Sequence, residues 1–457
     1  MATEAIKLSP DHVGLIKANI EVTPEAITEC NRLLQKNHEE WHMFFRDTAG
    51  HNHIVHSLLT VLCLGGTPEE LSARYDDGTP IQRVMPSVDA DLLAQLRDKS
   101  NPEALHKSLV GQVHQYHTYL EFFKGEIDEK GWRECILEYV LARTPVADLI
   151  LARMYEGAYH PIIHLGLGVE FQQPAIVAEA LAQAAAHDDA NISKLFLNAE
   201  AEAEISYPSI VPESMISLIH QVRACDAIRT APVWTDFGFK MRDGIVGRAL
   251  EDMASLASRF RIKIDEEDLE RRTAEMISTC AYFSGAAQDK AQVTRKTKID
   301  FFYMHCVTSS IFFTVFNKQE WIPLADRVRL AEWKGRLDLA WYAVSGCAAL
   351  DPTAITEYSN PESDGLDWED LFSLVIKEHD DGHAAKFIRA LKNGQDTAGK
   401  YEEGKYAEYF PMKGDMWLKL ARMCQDTTKN LPTDLKWVPF TGFPQPWKRP
   451  DLIATAP

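Results

Sequence analysis

Eight cysteines (Cys30, Cys63, Cys135, Cys225, Cys280, Cys306, Cys347, Cys424) are scattered singly along the 457 residues, and no CxxC pair occurs. That spacing argues against a zinc ribbon or a disulfide framework and fits a reducing, cytoplasmic setting. A dinucleotide fingerprint is missing as well. Gly166-Leu167-Gly168 is followed by Val-Glu-Phe, with no third glycine and no strand-like run before it. Flavin or nicotinamide held in a Rossmann domain is therefore not expected. A P-loop, a Gly-x-Ser-x-Gly nucleophile elbow and an HExxH helix do not occur either. The most apolar long stretch, Phe301 to Phe316, contains His305, Thr308 and two serines, too short and too polar for a membrane span. The first ten residues have neither the basic nor the apolar block of a secretory signal. Basic charge is also scarce: 48 Lys and Arg face 67 Asp and Glu, a net charge of -19. Such a field repels phosphate backbones, so neither nucleic acid nor membrane is an expected partner.

What remains is a globular, helix-rich chain. Hydrophobic residues make up 46% and charged residues 25%, the balance of a protein with a real core. Ile27, Cys30 and Leu34 mark one face of a helix over Glu25 to Gln35, started by Thr23-Pro24. An apolar helix runs from Asn52 to Leu64 and is ended by Gly65-Gly66; Thr67-Pro68-Glu69-Glu70 then opens the next. The same periodicity predicts helices over Trp132 to Tyr155, Pro174 to His187, Gly244 to Phe260 and Glu266 to Ser284. It also predicts them over Asp300 to Phe316, Leu324 to Cys347, Trp368 to Glu378 and Met416 to Cys424. Period-two runs are scarce and no Asn-Gly hairpin signal stands between two of them. The expected fold is all-α, a single multi-helix unit over 1–430 around a central site. From Leu431 the chain turns rich in Pro, Trp and Phe, which predicts an irregular tail over 431–457 packed on the body.

Sixteen histidines are left to explain, and half of them gather in four segments. In His51-Asn52-His53-Ile54-Val55-His56, at ~100° per residue, His53 and His56 lie ~60° apart and can share a helix face. In His160-Pro161-Ile162-Ile163-His164 the i,i+4 spacing stacks two imidazoles one turn apart, and Pro161 puts His160 at the helix entrance. His305 stands alone in its apolar run, and His379 and His383 lie between Lys377 and Lys386. Imidazole suits iron, copper, zinc and nickel, and helical bundles build metal sites from facing helices. Each piece has a plainer reading too, since a lone buried histidine is commonly a hydrogen-bonded core residue. His12, His38, His42, His106, His114, His117, His187 and His220 read as surface or structural. The pattern points to a metal site and leaves the metal open.

The segments HNHIVHSLLTVLCLGGTPEEL from His51, YHPIIHLGLGVEF from Tyr159, DFFYMHCVTSSIFF from Asp300 and DDGHAAKFIRAL from Asp380 span most of the chain. In them the sequence resembles the questin-oxidase-like family of fungal polyketide pathways. It looks closest to members that open the central ring of anthraquinones, as in beticolin-type routes. The resemblance implies an oxidoreductase, a dioxygenase that cleaves a C–C bond of a tricyclic polyphenol in its reduced, hydroquinone form. It implies non-haem Fe(II), with O2 as co-substrate, held by several histidines and by one lysine carrying a CO2-derived carbamate. NADPH would enter only through a separate reductase that supplies the reduced substrate. Family members are often labelled Baeyer–Villiger oxidases, which ordinarily means flavin; the missing fingerprint favours iron.

Carried onto this sequence, the expected ligands are His56, His164 and His305, with His160 and His383 competing for the fourth histidine place and Lys377 as the carbamate. Lys377 and His305 are the expected catalytic residues. Lys377 follows Leu374-Val375-Ile376, where an unmodified ammonium would be costly to bury, and a carbamate supplies negative charge that neutral imidazoles do not. On an unbroken helix Lys377 and His383 are ~120° and about 9 Å apart, so both reach one ion only if Gly382 breaks the helix or the long lysine leans over. Glu170 and Asp381 are expected to orient imidazole N–H groups. Tyr159, Phe171, Phe302, Tyr303, Phe312 and Trp341 are expected to line a flat pocket.

Other readings stay open at this point. His379-Asp380 echoes metal-dependent hydrolases of the HD type, although the histidine that pattern wants a short way upstream is missing. A flavin-independent Baeyer–Villiger-type oxidase and a non-catalytic helical binding protein also remain.

Overall fold

Capping chemistry sets the first helices. Thr23 accepts the Ala26 N–H ahead of α1 (Pro24–Glu40), and Thr67 and Glu70 form a reciprocal capping box at α3 (Pro68–Gly78). Between them, α2 (Ile54–Cys63) is buried at every position, as a helix apolar on all sides must be. The computed structural model describes residues 1–16, 20–47, 50–98, 100, 111–188, 190–206, 213–288 and 296–453. Among these residues there is no β-strand, only isolated bridges such as Phe44 to His51. The fold is all-α, as the periodicity predicts. His106 lies outside the described residues.

The chain divides into two units. The first comprises Met1–Ser193, Lys318–Ile322 and His379–Lys386; the second comprises Lys194–Asn317, Pro323–Glu378 and Phe387–Pro457. The principal helices of the first are α1 to α3, α4 (Tyr116–Lys130), α5 (Pro145–Met154), α6 (Glu156–Glu170) and α7 (Pro174–Ala186). α6 and α7 are nearly all buried. Their close approach explains the lone Gly-x-Gly: a Cβ on Gly168 would stand 2.9 Å from the Val177 backbone nitrogen. Gly168 lets the two helices pack together.

The helix expected over Trp132 to Tyr155 is broken. Trp132–Ile136 passes into a π-helical turn at Leu137–Leu141, Arg143 turns left-handed (φ 56), and Thr144 caps α5 with Pro145 in its first turn. Thr144-Pro145 is a start signal, and it overrides a periodicity that runs through it. Similarly, the helix expected from Gly244 covers only Leu250–Ala257, after a π-helical turn at Lys240–Val246.

In the second unit the long buried helices are α8 (Glu266–Ala286), α9 (Phe301–Asn317) and α10 (Leu324–Val344). They carry charges that are paired where buried: Lys334 with Asp338, and Arg272 with Glu275. α11 (Trp368–Val375) ends three residues before the expected Glu378. α12 (His383–Ala398) and α13 (Met416–Thr428) follow; the first four residues of α12 count with the first unit. Residues 431–453 are held by the buried Asp300 carboxylate, which accepts the Thr441 N–H at 2.7 Å, and by Phe440 stacked on Phe302 at 4.6 Å. Short helical turns interrupt this tail at Thr433–Lys436 and Pro446–Lys448.

Candidate metal centre

Three peculiarities of the chain bring histidines together in the first unit. His53 occupies the N-cap of α2, which puts His56 one turn in. Gly157, Ala158 and Tyr159 are all left-handed (φ 54, 56 and 71), so the regular part of α6 starts at His160-Pro161. Glycine is required at 157, because a Cβ there would sit 2.4 Å from His51 and 2.5 Å from His187. Gly382 (φ +82) reverses the chain ahead of α12 and touches α2, its missing Cβ falling 2.9 Å from Ser57 Cα. Asp380 secures that turn by accepting the N–H groups of Gly382 and Ala384. The chain is thus not one unbroken helix between Lys377 and His383, the condition set for both to reach one ion.

The outcome is a cluster. Ligand-type atoms of His53, His160 and His383 all lie within 4.8 Å of one another. The remaining nitrogen of each ring faces an acceptor. His160 Nδ1–H donates to the Gly157 carbonyl, His383 Nδ1–H donates to Asp381, and His53 Nδ1 lies 3.5 Å from the other Asp381 oxygen. The lone pairs of His160 and His383 therefore fall on Nε2. His53 Nε2 meets His160 Nε2 at 2.6 Å, a hydrogen bond when His53 carries its proton there and a place for a shared cation when it does not. Asp381 orients imidazoles as expected. Glu170 accepts the backbone N–H of Ile16.

His56 is fully buried beside them, its ring 5.8 Å from His53 and 6.0 Å from His160. Its Nε2 meets His164 Nδ1 at 3.2 Å, and its Nδ1 has no hydrogen-bond partner among the described residues. His164 stands one layer behind: its Nε2 meets Glu179 Oε2 at 2.7 Å, and Glu179 Oε1 meets His38 Nδ1 at 2.6 Å. Burial raises the Glu179 carboxyl, but hydrogen bonds from His164 and His38 win and bring it down to about 2. His51 stacks on His160 at 4.2 Å and meets His187 Nε2 at 3.1 Å.

Protonation suits a metal. Burial, helped by the nearby Lys386 charge, holds His53, His56 and His383 well below the ordinary imidazole value, and burial with neighbouring imidazoles does the same for His51. These rings are neutral bases near pH 7. Lys386 itself is 5% exposed, and burial brings its amine down to about 8 against the pull of Asp381 and Asp380. Among the described residues its Nζ has no hydrogen-bond partner. Lys377, by contrast, is exposed, so the burial cost that singled it out falls at Lys386 instead.

The remaining expected residues are placed as follows. His305 is buried in α9 of the second unit and its Nδ1 bonds the Phe301 carbonyl at 2.7 Å. His379 is 74% exposed and ion-pairs with Asp77, while Asp380 is spent on the α12 cap. The His379-Asp380 pair therefore lacks the shared geometry an HD-type hydrolase needs. The aromatics expected to line a pocket are core: Tyr159, Phe171, Tyr303, Phe312 and Trp341 are buried, and Phe302 is stacked between Trp341 and Phe440. A cavity of about 490 Å³ opens in the second unit, walled by Arg223, Arg229, Phe443 and Trp447 among others.

Sequence reasoning passed over three members of this site. His53 was visible in its segment, three residues before His56. Lys386 carried a signal too, four residues after Gly382-His383 on the inward side of an amphipathic helix. Glu179 had none beyond being an acid in the otherwise apolar run Pro174 to Ala186.

An all-α scaffold with converging neutral histidines defines the class, a helical protein with a candidate metal centre. Comparison gives the family. Residues 50–391 match the questin oxidase-like family. A Baeyer-Villiger monooxygenase of Cryptosporiopsis sp. (strain 8999) is 70% identical over 99% of this chain and 100% of its own length. A Baeyer-Villiger oxidase of Paecilomyces divaricatus is 61% identical over 98% of this chain and 95% of its own. A questin oxidase of Aspergillus terreus is 43% identical over 98% of both chains. The chain belongs to the questin oxidase-like family, and the names of these relatives make it an oxidoreductase. No helix among the described residues is long and apolar enough to cross a membrane.

Proposed function

We propose that this protein is a non-haem Fe(II) dioxygenase that cleaves a C–C bond in the central ring of an anthraquinone, taken as its hydroquinone. The observation that carries the reading is the convergence of His53, His160 and His383, with Nδ1 of His160 and His383 tied to a carbonyl and a carboxylate and that of His53 facing the same carboxylate. A hydrogen bond to the ring nitrogen that does not face the metal is how proteins aim imidazoles at it.

The donor set fits iron. His53, His160 and His383 would hold it by Nε2, with His56 beside them and Lys386 as the anionic ligand once its amine has taken up CO2. An amine already depressed to about 8 in a site of neutral bases is partly unprotonated near neutral pH, the form that reacts with CO2. Neutral imidazoles leave a divalent ion's charge uncompensated; the Lys386 carbamate and Asp381 offset it. Bound Fe(II) would supply the one-electron chemistry that lets O2 react with a closed-shell polyphenol. The chain's own groups keep the site in order. Asp381 and the Gly157 carbonyl hold protons on the outer ring nitrogens, and buried α2 and α6 keep water away from the inner ones.

The printed names of the relatives carry two ideas to this chain. "Questin oxidase" points to an anthraquinone substrate, and "Baeyer-Villiger" points to oxygen insertion next to a carbonyl carbon. A flavin-independent Baeyer–Villiger-type oxidation is the second reading, and a separate NADPH-dependent reductase would serve either by supplying the reduced substrate. Eight free cysteines suit a cytoplasmic setting.

The deciding experiment is anaerobic purification with metal analysis, followed by turnover of a dithionite-reduced anthraquinone under ¹⁸O₂. Iron, oxygen uptake and two labelled atoms in the opened product are expected. One labelled atom would favour the Baeyer–Villiger course. Zinc with no oxygen uptake would sink both oxygenase readings.

A further inference from the structure

The His38–Glu179–His164 chain takes no part in the proposed metal binding, and it ends on His56, which lies beside the three-histidine group and whose buried Nδ1 has no hydrogen-bond partner among the described residues. Its four members come from four helices: His38 from α1, His56 from α2, His164 from α6 and Glu179 from α7. All are buried, with exposures of 6%, 0%, 0% and 1%. A carboxylate is acceptor-only. Glu179 Oε2 at 2.7 Å from His164 Nε2 therefore requires the proton on that nitrogen. A ring with that single proton offers a lone pair at Nδ1. Among the described residues His56 Nε2, 3.2 Å away, faces it, and uses it as a donor. The proton of neutral His56 is thereby committed to Nε2, and its lone pair must lie on Nδ1, the buried atom that no group of the described chain satisfies.

We propose that Glu179 is a positioning residue for the metal centre: acting through His164, it sets the tautomer of His56 and makes His56 a ligand through Nδ1. The proposal rests on the metal reading above. His160 and His383 have Nδ1 fixed by a backbone carbonyl and by Asp381, which leaves Nε2 for a metal, and His53 Nδ1 faces Asp381. His56 is the exception in both respects, because its outer nitrogen is fixed by another imidazole whose own state depends on a carboxylate two residues removed in the chain of bonds. Glu179 also brings a full negative charge to the side of His164 away from His56, where its two oxygens face His164 and His38. His38 on its far oxygen serves as a second anchor. A purely structural role for the network, tying α1, α6 and α7 together, would place no demand on which nitrogen of His56 carries the proton.

The test uses the full chain in two forms. In the metal-free protein, ¹⁵N-imidazole NMR, with the His56 signals assigned by their loss in His56→Gln, reads the tautomer directly; Nε2–H is expected. Glu179→Met keeps length and helix propensity but removes the acceptor. It should turn His56 into a tautomer mixture and weaken Co(II) binding ten- to a hundredfold, the usual cost of losing an outer-shell partner, with an altered visible spectrum of the bound Co(II). If Glu179→Met fails to fold by circular dichroism, Glu179→Gln, which loses the charge and turns one of the two acceptors into a donor, carries the affinity measurement. Nδ1–H on His56 in the wild type would overturn the proposal. So would a folded variant that binds Co(II) within twofold of wild type with an unchanged spectrum. Wild-type protein that takes up neither Co(II) nor Fe(II) would defeat the metal reading instead, and the tautomer measurement would still decide whether Glu179 sets His56.

Discussion

Lys386 in the first unit and Lys334 in the second are both removed from water, at 5% and 0% exposure, and their fates are opposite. Burial penalises both ammonium groups. At Lys334 the Asp338 carboxylate, one turn along α10, more than offsets it and raises the amine, which also donates to the Cys306 carbonyl at 3.1 Å. At Lys386 the penalty wins and the amine falls to about 8, with no hydrogen-bond partner for Nζ among the described residues. Lys298 separates the two causes. It too falls to about 8 by burial, yet it donates to the carbonyls of Thr427, Leu435 and Lys436. A depressed amine alone therefore marks burial, whereas a depressed, unsatisfied amine beside neutral imidazoles marks a place kept for chemistry.

Breaking this contrast starts with the lysines themselves. Lys386→Ala should retain folded protein but lose bound iron by about 100-fold or more, beyond the usual outer-shell effect, while Lys377→Ala should retain iron within about twofold. Metal content per folded chain, measured after dialysis, decides between them. Equal retention in both variants would remove Lys386 from the site. His305→Ala belongs in the same series, because retention of iron there would withdraw the ligand role the resemblance gives it. Lys334→Ala should act on stability instead. It strands a fully buried carboxylate and should cost about 3–5 kcal/mol, seen as a lower denaturant midpoint. Replacing Lys334 and Asp338 together by Met and Leu should cost clearly less than the single change. If the single and double variants are equally unstable, the pair is not what holds that core.

Much of this was legible before the fold. Capping signals at Thr23-Pro24 and Thr67-Pro68 and apolar periodicity located helices, because both are local. The histidine segments were legible for the same reason, each being a short run with its own spacing. What the sequence hid was depth. Lys377 and Lys386 flank the same segment, and only the turn at Gly382, packed on Ser57, decides which one points inward. His160 and His383, rivals in the sequence, are both delivered to one cluster by the left-handed run at Gly157 to Tyr159 and the break at Gly382. His164 read as a ligand by its i,i+4 relation to His160, but one turn of α6 was enough to put it behind His56 instead of beside the others. Glu179 was out of reach, because its partners come from helices far away in sequence.

A smaller effect sharpens the contrast from the side of a fully partnered base. His42 accepts the Phe44 N–H at Nδ1 and donates from Nε2 to the Val113 carbonyl at 3.0 Å, so its neutral form satisfies both neighbours. Burial, with the Arg83 charge behind it, lowers this imidazole to about 4 from 6.5. The unfolded chain then binds the extra proton first. Stability attributable to His42 is intact above pH 6.5 and is lost as pH falls toward 4, by about 3 kcal/mol at most. His42→Gln, which keeps an acceptor and a donor, should flatten the acid limb of a stability–pH curve by up to one proton. Identical limbs would mean that His42 does not titrate in this window.

The smallest expected change tests the turn that presents Lys386. Gly382 has φ +82 and lies against the α2 backbone, so Gly382→Ala must accept left-handed strain and also push Ser57 away. The strain should cost about 1–3 kcal/mol, a modest loss for the whole chain. Its consequence at the cluster should be larger than its consequence for the fold, because Ser57 adjoins His56 and Gly382 adjoins His383. The variant is therefore expected to keep most of its thermal stability while its iron affinity falls severalfold. A loss of stability with undiminished iron affinity would show that the cluster tolerates a shift of this turn, and that the contrast between the two lysines does not depend on it.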